Sequence, residues 1–171
     1  LNKINSWSPE LFTKGHRNPQ GMAINPITNE IWVNEHGPKG GDEINIIKLG
    51  RNYGWPIVTF GEEYWGGKVG QGITTLKGFE DPIWYWVPSI APSGMTFYDK
   101  NMFPEFKGNL LVSSLKFKSI YLVELKDGVP TKEKVLFKNR FGRIRDIEQL
   151  KDGSILIISD EKEGALYKIY R

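Results

Sequence analysis

Gly94-Met95-Thr96-Phe97-Tyr98, Leu110-Leu111-Val112 and Ile120-Tyr121-Leu122-Val123 succeed one another with only turn-forming or polar segments between them. Each run is short, rich in β-branched or aromatic residues, and bounded by Gly, Pro, Asn or Asp, which predicts three strands. The same arrangement stands on either side. Before it come Gly21-Met22-Ala23-Ile24, Ile31-Trp32-Val33 and Glu43-Ile44-Asn45-Ile46-Ile47. After it come Ile144 to Gln149, Ile155-Leu156-Ile157-Ile158 and Ala165-Leu166-Tyr167-Lys168-Ile169. In every set a first strand and a turn (Asn25 to Asn29, Pro104 to Asn109, Lys151-Asp152-Gly153) lead into a hydrophobic second strand, a polar loop and a third strand. Lys151-Asp152-Gly153-Ser154 is the strongest hairpin signal. Asp127-Gly128 marks a further turn, after the strand that ends at Leu125.

From Ile31 to Leu110 and from Leu110 to Ile155 the repeat steps by about 79 and 45 residues. The longer step holds a Gly- and aromatic-rich insert, 54–88. A blade-sized repeat of short strands is the mark of a β-propeller. The expected fold is therefore all-β, with about three four-stranded blades near 15–53, 89–136 and 140–171. Helical periodicity is nearly absent. A propeller needs at least about four blades to close, so the chain is expected to be part of a ring, completed by a missing half or by a second copy.

Composition agrees with this reading. Among 171 residues, 39% are hydrophobic and 25% charged, enough for a core and too ordered a mixture for disorder. Six Trp, seven Tyr and nine Phe with 19 Gly and 10 Pro suit short strands and many turns. The net charge of +3 is spread among interleaved acids and bases, so no nucleic-acid footprint is expected. The lack of Cys excludes disulfides and thiolate metal sites. No apolar stretch approaches the roughly 20 residues that span a bilayer, and Leu1 to Glu10 lacks the pattern of a signal peptide.

Four segments are too polar or too oddly spaced for plain blade strands. Gly15-His16-Arg17-Asn18-Pro19-Gln20-Gly21 gathers donors for carboxylates and carbonyls, although a polar loop accounts for it equally. Glu35-His36-Gly37-Pro38-Lys39-Gly40-Gly41-Asp42-Glu43 offers carbonyl and carboxylate oxygens of the kind calcium binds. It is not a phosphate loop, because the Gly-Lys-Ser/Thr ending is missing, and alone it also reads as a long turn. Ser113-Ser114-Leu115-Lys116 sets a Lys directly after a hydrophobic strand, where a solvated surface Lys is the plain alternative. In Gly142-Arg143-Ile144-Arg145-Asp146, residues two apart share a face of the strand. Arg143 and Arg145 there present paired guanidiniums, suited to a polycarboxylate or to neighbouring acids.

Taken in order with Gly50-Arg51-Asn52-Tyr53-Gly54-Trp55-Pro56 and Ala91-Pro92-Ser93-Gly94, these segments resemble the glucose/sorbosone dehydrogenase family from about Gly15 to the C-terminus. That family includes soluble pyrroloquinoline-quinone (PQQ) glucose dehydrogenases and aldose sugar dehydrogenases. The resemblance implies a six-bladed ring with the quinone and a calcium ion over its channel, this chain being the C-terminal half. It implies that Arg17, Asn18, Gln20, Ser89, Lys116, Arg143 and Arg145 contact the quinone, with Arg17 and Lys116 aimed at the carbonyl that accepts hydride. The backbone oxygens of Gly37 and Pro38 would help to bind the calcium there. A second, structural calcium would take Glu43, the Tyr53 carbonyl and Glu63.

The activity implied is oxidation of aldose sugars to lactones, in a periplasmic or secreted protein. The family's catalytic His lies outside the matching segment, and neither His16 nor His36 aligns with it. His16 is expected to be structural, and this chain alone is expected to be inactive. The rival reading is a non-catalytic propeller that kept the scaffold as a binding module. Such a chain would be expected to have lost the Arg and Lys set, which is complete here.

Overall fold

The computed structural model describes residues 7–171. Three antiparallel sheets follow the three sets of runs. The first has the order β1 (Pro19–Ile24), β2 (Ile31–Glu35), β3 (Asp42–Ile47), β4 (Trp84–Trp86). The second is β5 (Pro92–Tyr98), β6 (Asn109–Ser114), β7 (Ser119–Lys126), β8 (Val129–Leu136). The third has β9 (Ile144–Gln149), β10 (Ile155–Ser159) and β11 (Leu166–Ile169). Every neighbour in sequence is a neighbour in its sheet, the up-and-down order of propeller blades.

Three features depart from the expectation. The outer strand of the first sheet, β4, comes from within the 54–88 insert, so this blade reaches well past residue 53. The third sheet has three strands among the described residues, not four. Residues 129–136, not expected as a strand, form β8. Its Lys132 and Lys134 face outward and pair with Glu124 at 3.0 and 2.6 Å.

The sheets stack through two apolar layers. Trp32, Ile44 and Trp86 of the first sheet meet Phe97, Leu110, Val112 and Tyr121 of the second. On its other face the second sheet sets Tyr98, Leu111, Ile120 and Leu122 against Ile144, Ile147, Ile155 and Ile157 of the third. Successive residues of a strand point to opposite faces. A blade covered on both sides therefore needs apolar residues at every position, which is why Leu110-Leu111-Val112 is continuous and not alternating.

The first strands β1, β5 and β9 lie against one another. Glycine makes this approach possible. A Cβ on Gly21 would stand 2.3 Å from the Ser93 carbonyl oxygen, and one on Gly94 would stand 2.7 Å from Asp146 Cα. A hydrogen-bonded seam runs across the same strands. Asn34 accepts from Gly21 N (3.1 Å) and donates to Ser93 O (2.8 Å), while Ser93 Oγ donates to Ile144 O (2.6 Å). Gly94 has no unusual φ, so Gly94→Ala tests space alone. We expect it to cost about 1–3 kcal/mol as overpacking against backbone, read as a lowered melting temperature; an unchanged melt would contradict the close inter-blade approach.

Candidate functional site

The loops that enter and leave these first strands surround an open cavity of about 570 Å3. Arg17, Asn18, Gly37, Pro38, Ser89 and Lys116 all line it. They arrive from the start of the first sheet, from its β2–β3 loop, and from the loops flanking β5 and β6. Arg17 is fixed by its surroundings: Nη1 donates to the carbonyls of His36 (3.1 Å) and Gly37 (2.8 Å), and the guanidinium lies over the Trp55 ring at 5.2 Å. Lys116 is exposed, with no ion pair among the described residues.

A second group joins this cavity through hydrogen bonds. Gln20 donates to Asn18 Oδ1 (2.8 Å) and accepts from Arg145 Nη1 (3.4 Å). Arg145 and Arg143 both donate to Asp160 Oδ2, at 2.8 and 3.1 Å. The hydrogen bond from Arg143, reinforced by Arg145, holds the Asp160 carboxyl below its usual range. Asn18, Gln20, Arg145, Asp160 and Arg143 thus form one continuous string from the first sheet to the third. The seven side chains expected to hold a quinone meet on one rim, although they are spread from residue 17 to residue 145. The paired guanidiniums are bridged by this acid, although Arg143 precedes β9 and Arg145 falls at a break in the β9–β10 register.

Asp42 organises the cavity wall. It is fully buried. One carboxylate oxygen accepts from Gly37 N (3.0 Å), and the other from Ser89 Oγ (2.6 Å), Ile90 N (2.8 Å) and Ala91 N (2.8 Å). The Ser89 hydroxyl hydrogen is therefore committed to Asp42, leaving only an oxygen lone pair for anything in the cavity. Asp42 was absent from the expected site, although its neighbour Glu43 was included. Adjacent strand residues face opposite ways, so the two acids serve different places.

Glu43 turns toward a pocket of about 10 Å3, the scale of one water or ion, which Glu35, Gly41, Tyr53 and Thr59 also line. Asn45 Nδ2 donates to both carboxylates, at 3.1 Å (Glu35) and 3.3 Å (Glu43). Glu35 has further partners: His16 Nδ1 at 2.8 Å and the Arg17 amide at 2.6 Å. Glu43 has no ion pair among the described residues, and burial together with the Glu35 charge raises its carboxyl from 4.5 to about 8. A carboxylate in want of positive charge, beside a second carboxylate and a carbonyl-rich loop, fits a hard cation. Glu63 does not belong to this set. Its backbone closes a turn with Gly67 (3.0 Å) in a separate hairpin of the insert, and it does not line the pocket. Glu35 takes the place expected for it.

The two histidines are held by neighbours. His16 is bonded at both nitrogens, to Glu35 and to Thr13 Oγ1 (3.0 Å), and stacks on Tyr53. His36 Nε2 donates to the Pro92 carbonyl at 2.6 Å.

The raised Glu43 carboxyl has a pH consequence. Between 4.5 and about 8 the folded protein keeps a proton that the unfolded chain has lost. The metal-free protein should therefore lose stability as pH rises through that window and level off above it. Millimolar calcium should flatten the decline by replacing the proton. Urea midpoints measured from pH 5 to 9 check this, and identical profiles with calcium and with EDTA would contradict it.

Stacked antiparallel sheets of three or four strands, with their first strands side by side, define a segment of a β-propeller. The chain belongs to the glucose/sorbosone dehydrogenase family, whose pattern it matches over residues 2–168. It is 42% identical over 161 residues to the aldose sugar dehydrogenase YliI of Escherichia coli strain K12, covering 94% of this chain and 43% of that protein. It is 28% identical to quinoprotein glucose dehydrogenase B of Acinetobacter calcoaceticus, covering 96% of this chain and 45% of that one. The structure superposes on the apo form of the soluble aldose sugar dehydrogenase of Escherichia coli with a TM-score of 0.92 and 40% identity, covering 99% of this chain and 49% of that one. The chain thus spans less than half the length of each of these relatives. No helix among the described residues is long and apolar enough to cross a membrane.

Proposed function

We propose that the protein carrying this chain oxidises aldose sugars to lactones with PQQ and calcium, and that this chain supplies much of the cofactor site but not the catalytic base. The observation that carries the reading is the single rim formed by Arg17, Asn18, Gln20, Lys116, Arg143 and Arg145. A tricarboxylate needs several fixed cations and planar forks, and Arg17, Lys116, Arg143 and Arg145 supply four, the last two sharing Asp160. When bound, PQQ would supply the hydride acceptor and calcium a polarising charge beside it. Arg143 and Arg145 hold carboxylates; Asn18 and Gln20 fix their orientation; Gly37 and Pro38 present backbone oxygens to the metal. Arg17 and Lys116 stabilise the negative charge that grows during the transfer.

The engaged histidines support placing the base elsewhere in the protein. Ile158, Leu166 and Tyr170 leave apolar surface exposed on the third sheet. Such surface suits contact with the remainder of a six-bladed ring, or with a second copy. A periplasmic or secreted location goes with this reading. The test is sugar oxidation by the full-length protein with a dye acceptor. Activity should require both PQQ and calcium and should be absent from the 171-residue chain alone. Full activity without added or bound quinone would refute the proposal.

A further inference from the structure

The hairpin of residues 62–68 is locked at its base and open at its tip. Glu62 and Lys39 exchange both backbone hydrogen bonds, at 3.0 and 3.1 Å. Beside them, a Cβ on Gly61 would stand 2.6 Å from both Gly40 O and Pro38 Cδ, so insert and loop are in tight contact. At the tip Gly66 and Gly67 take φ of 96° and 90° with open space around them. This turn carries Tyr64 and Trp65, which are 65% and 82% exposed.

Tyr64 lines the same cavity as Arg17 and Lys116, and its hydroxyl accepts from Arg17 Nη2 at 3.3 Å. Trp65, its neighbour in the turn, is not part of the lining. Val87, also largely exposed, and Pro88 line the cavity as well. Glu62 and Lys39 line the cavity beside Tyr64, and neither is ion-paired among the described residues.

A sugar ring has flat C–H faces edged with hydroxyls. An aromatic face bracketed by an acceptor and a donor complements it, and the balanced charge of Glu62 and Lys39 suits a neutral polyol. We infer that Tyr64 and Trp65 form a carbohydrate-stacking platform. Tyr64 takes the sugar at the cavity mouth, and Trp65 takes the next unit of a reducing oligosaccharide. This rests on the proposed oxidation of aldoses and assigns its specificity to the hairpin tip.

The experiment compares glucose and maltotriose with the full-length protein, wild type and Trp65→Ala. The substitution should raise the ratio of KM for maltotriose to KM for glucose about 10-fold, the scale of one lost stacking contact. In isothermal titration it should weaken maltotriose binding by about the same factor. Tyr64→Ala should weaken both sugars, and Tyr64→Phe, which keeps the ring, should restore them. Unchanged maltotriose binding in Trp65→Ala, or none in the wild type, would overturn the platform. A protein that oxidises no aldose yet binds maltotriose in a Trp65-dependent way would keep the platform and refute the oxidation.

Discussion

Asp42→Ala should destabilise the protein by about 3–5 kcal/mol, the largest loss expected from any single side chain near the site. The carboxylate is 0% exposed and accepts from three backbone amides and one hydroxyl. Truncation takes the acceptor from all four donors, of which those of Gly37 and Ile90 are on buried residues, and each unmatched buried group costs about 1–3 kcal/mol before relaxation. Asp42→Asn should fall between, because it keeps one oxygen but turns an amide donor toward donors. Because this carboxylate ties Gly37 to the segment 89–91, the cavity wall should loosen as the fold weakens. Urea unfolding gives the value, with the midpoint moved and the slope unchanged. A loss below about 1 kcal/mol would show that the loops are held by something else.

Lys116→Ala should lower turnover about 10²–10³-fold while changing quinone affinity much less. The reason lies in how the ammonium is placed. Ser114 Oγ donates to Ile90 O (2.6 Å) and accepts from Phe117 N (3.0 Å), and Leu115 N donates to Ala91 O (3.0 Å). The turn that carries Lys116 is thereby fixed to the segment that Asp42 holds. The side chain itself has no ion pair to give up, so its charge is available to the reaction and is not needed for the fold. Steady-state kinetics and a quinone titration on one variant separate the two effects. Equal losses in turnover and affinity would make Lys116 a holder of carboxylates and nothing more.

The fold was legible wherever burial forces a simple pattern. The middle strands of the second sheet are covered on both faces, so Leu110-Leu111-Val112 and Ile120-Tyr121-Leu122-Val123 are unbroken apolar runs that the sequence shows plainly. β8 was hidden because it lies on the outside: Val129-Pro130-Thr131-Lys132-Glu133-Lys134-Val135-Leu136 is mostly polar, and Pro130 argues against a strand interior. β4 was hidden by length. Three residues, Trp84-Tyr85-Trp86, carry no period, and their pairing with Asp42, Glu43 and Ile44 is decided by the sheet.

The site was legible where chemistry and spacing coincide. Arg143 and Arg145 were legible as a pair, and both reach Asp160, although Arg143 stands just before β9 and the local bulge, not strand alternation, brings them together. Arg17, Asn18 and Gln20 stood out as an unusual density of donors. Asp42 was missed because a buried carboxylate satisfied by backbone amides looks in sequence like any turn acid. The alternation of faces between Asp42 and Glu43 was the available signal. Glu63 was misplaced because its position depends on how the insert folds, which no periodicity encodes. Tyr64 escaped notice for the same reason.

The central claim is that residues from Arg17 to Arg145 form one quinone cradle. Titration of the calcium-loaded full-length protein with PQQ, followed by absorbance, addresses it directly. The account predicts saturable one-to-one binding that EDTA abolishes. It also predicts that Arg145→Ala weakens binding about 30-fold, the low end for a charged pair because this side chain is 46% exposed. No saturable binding in the presence of calcium, or an Arg145→Ala variant that binds as tightly as the wild type, would contradict it.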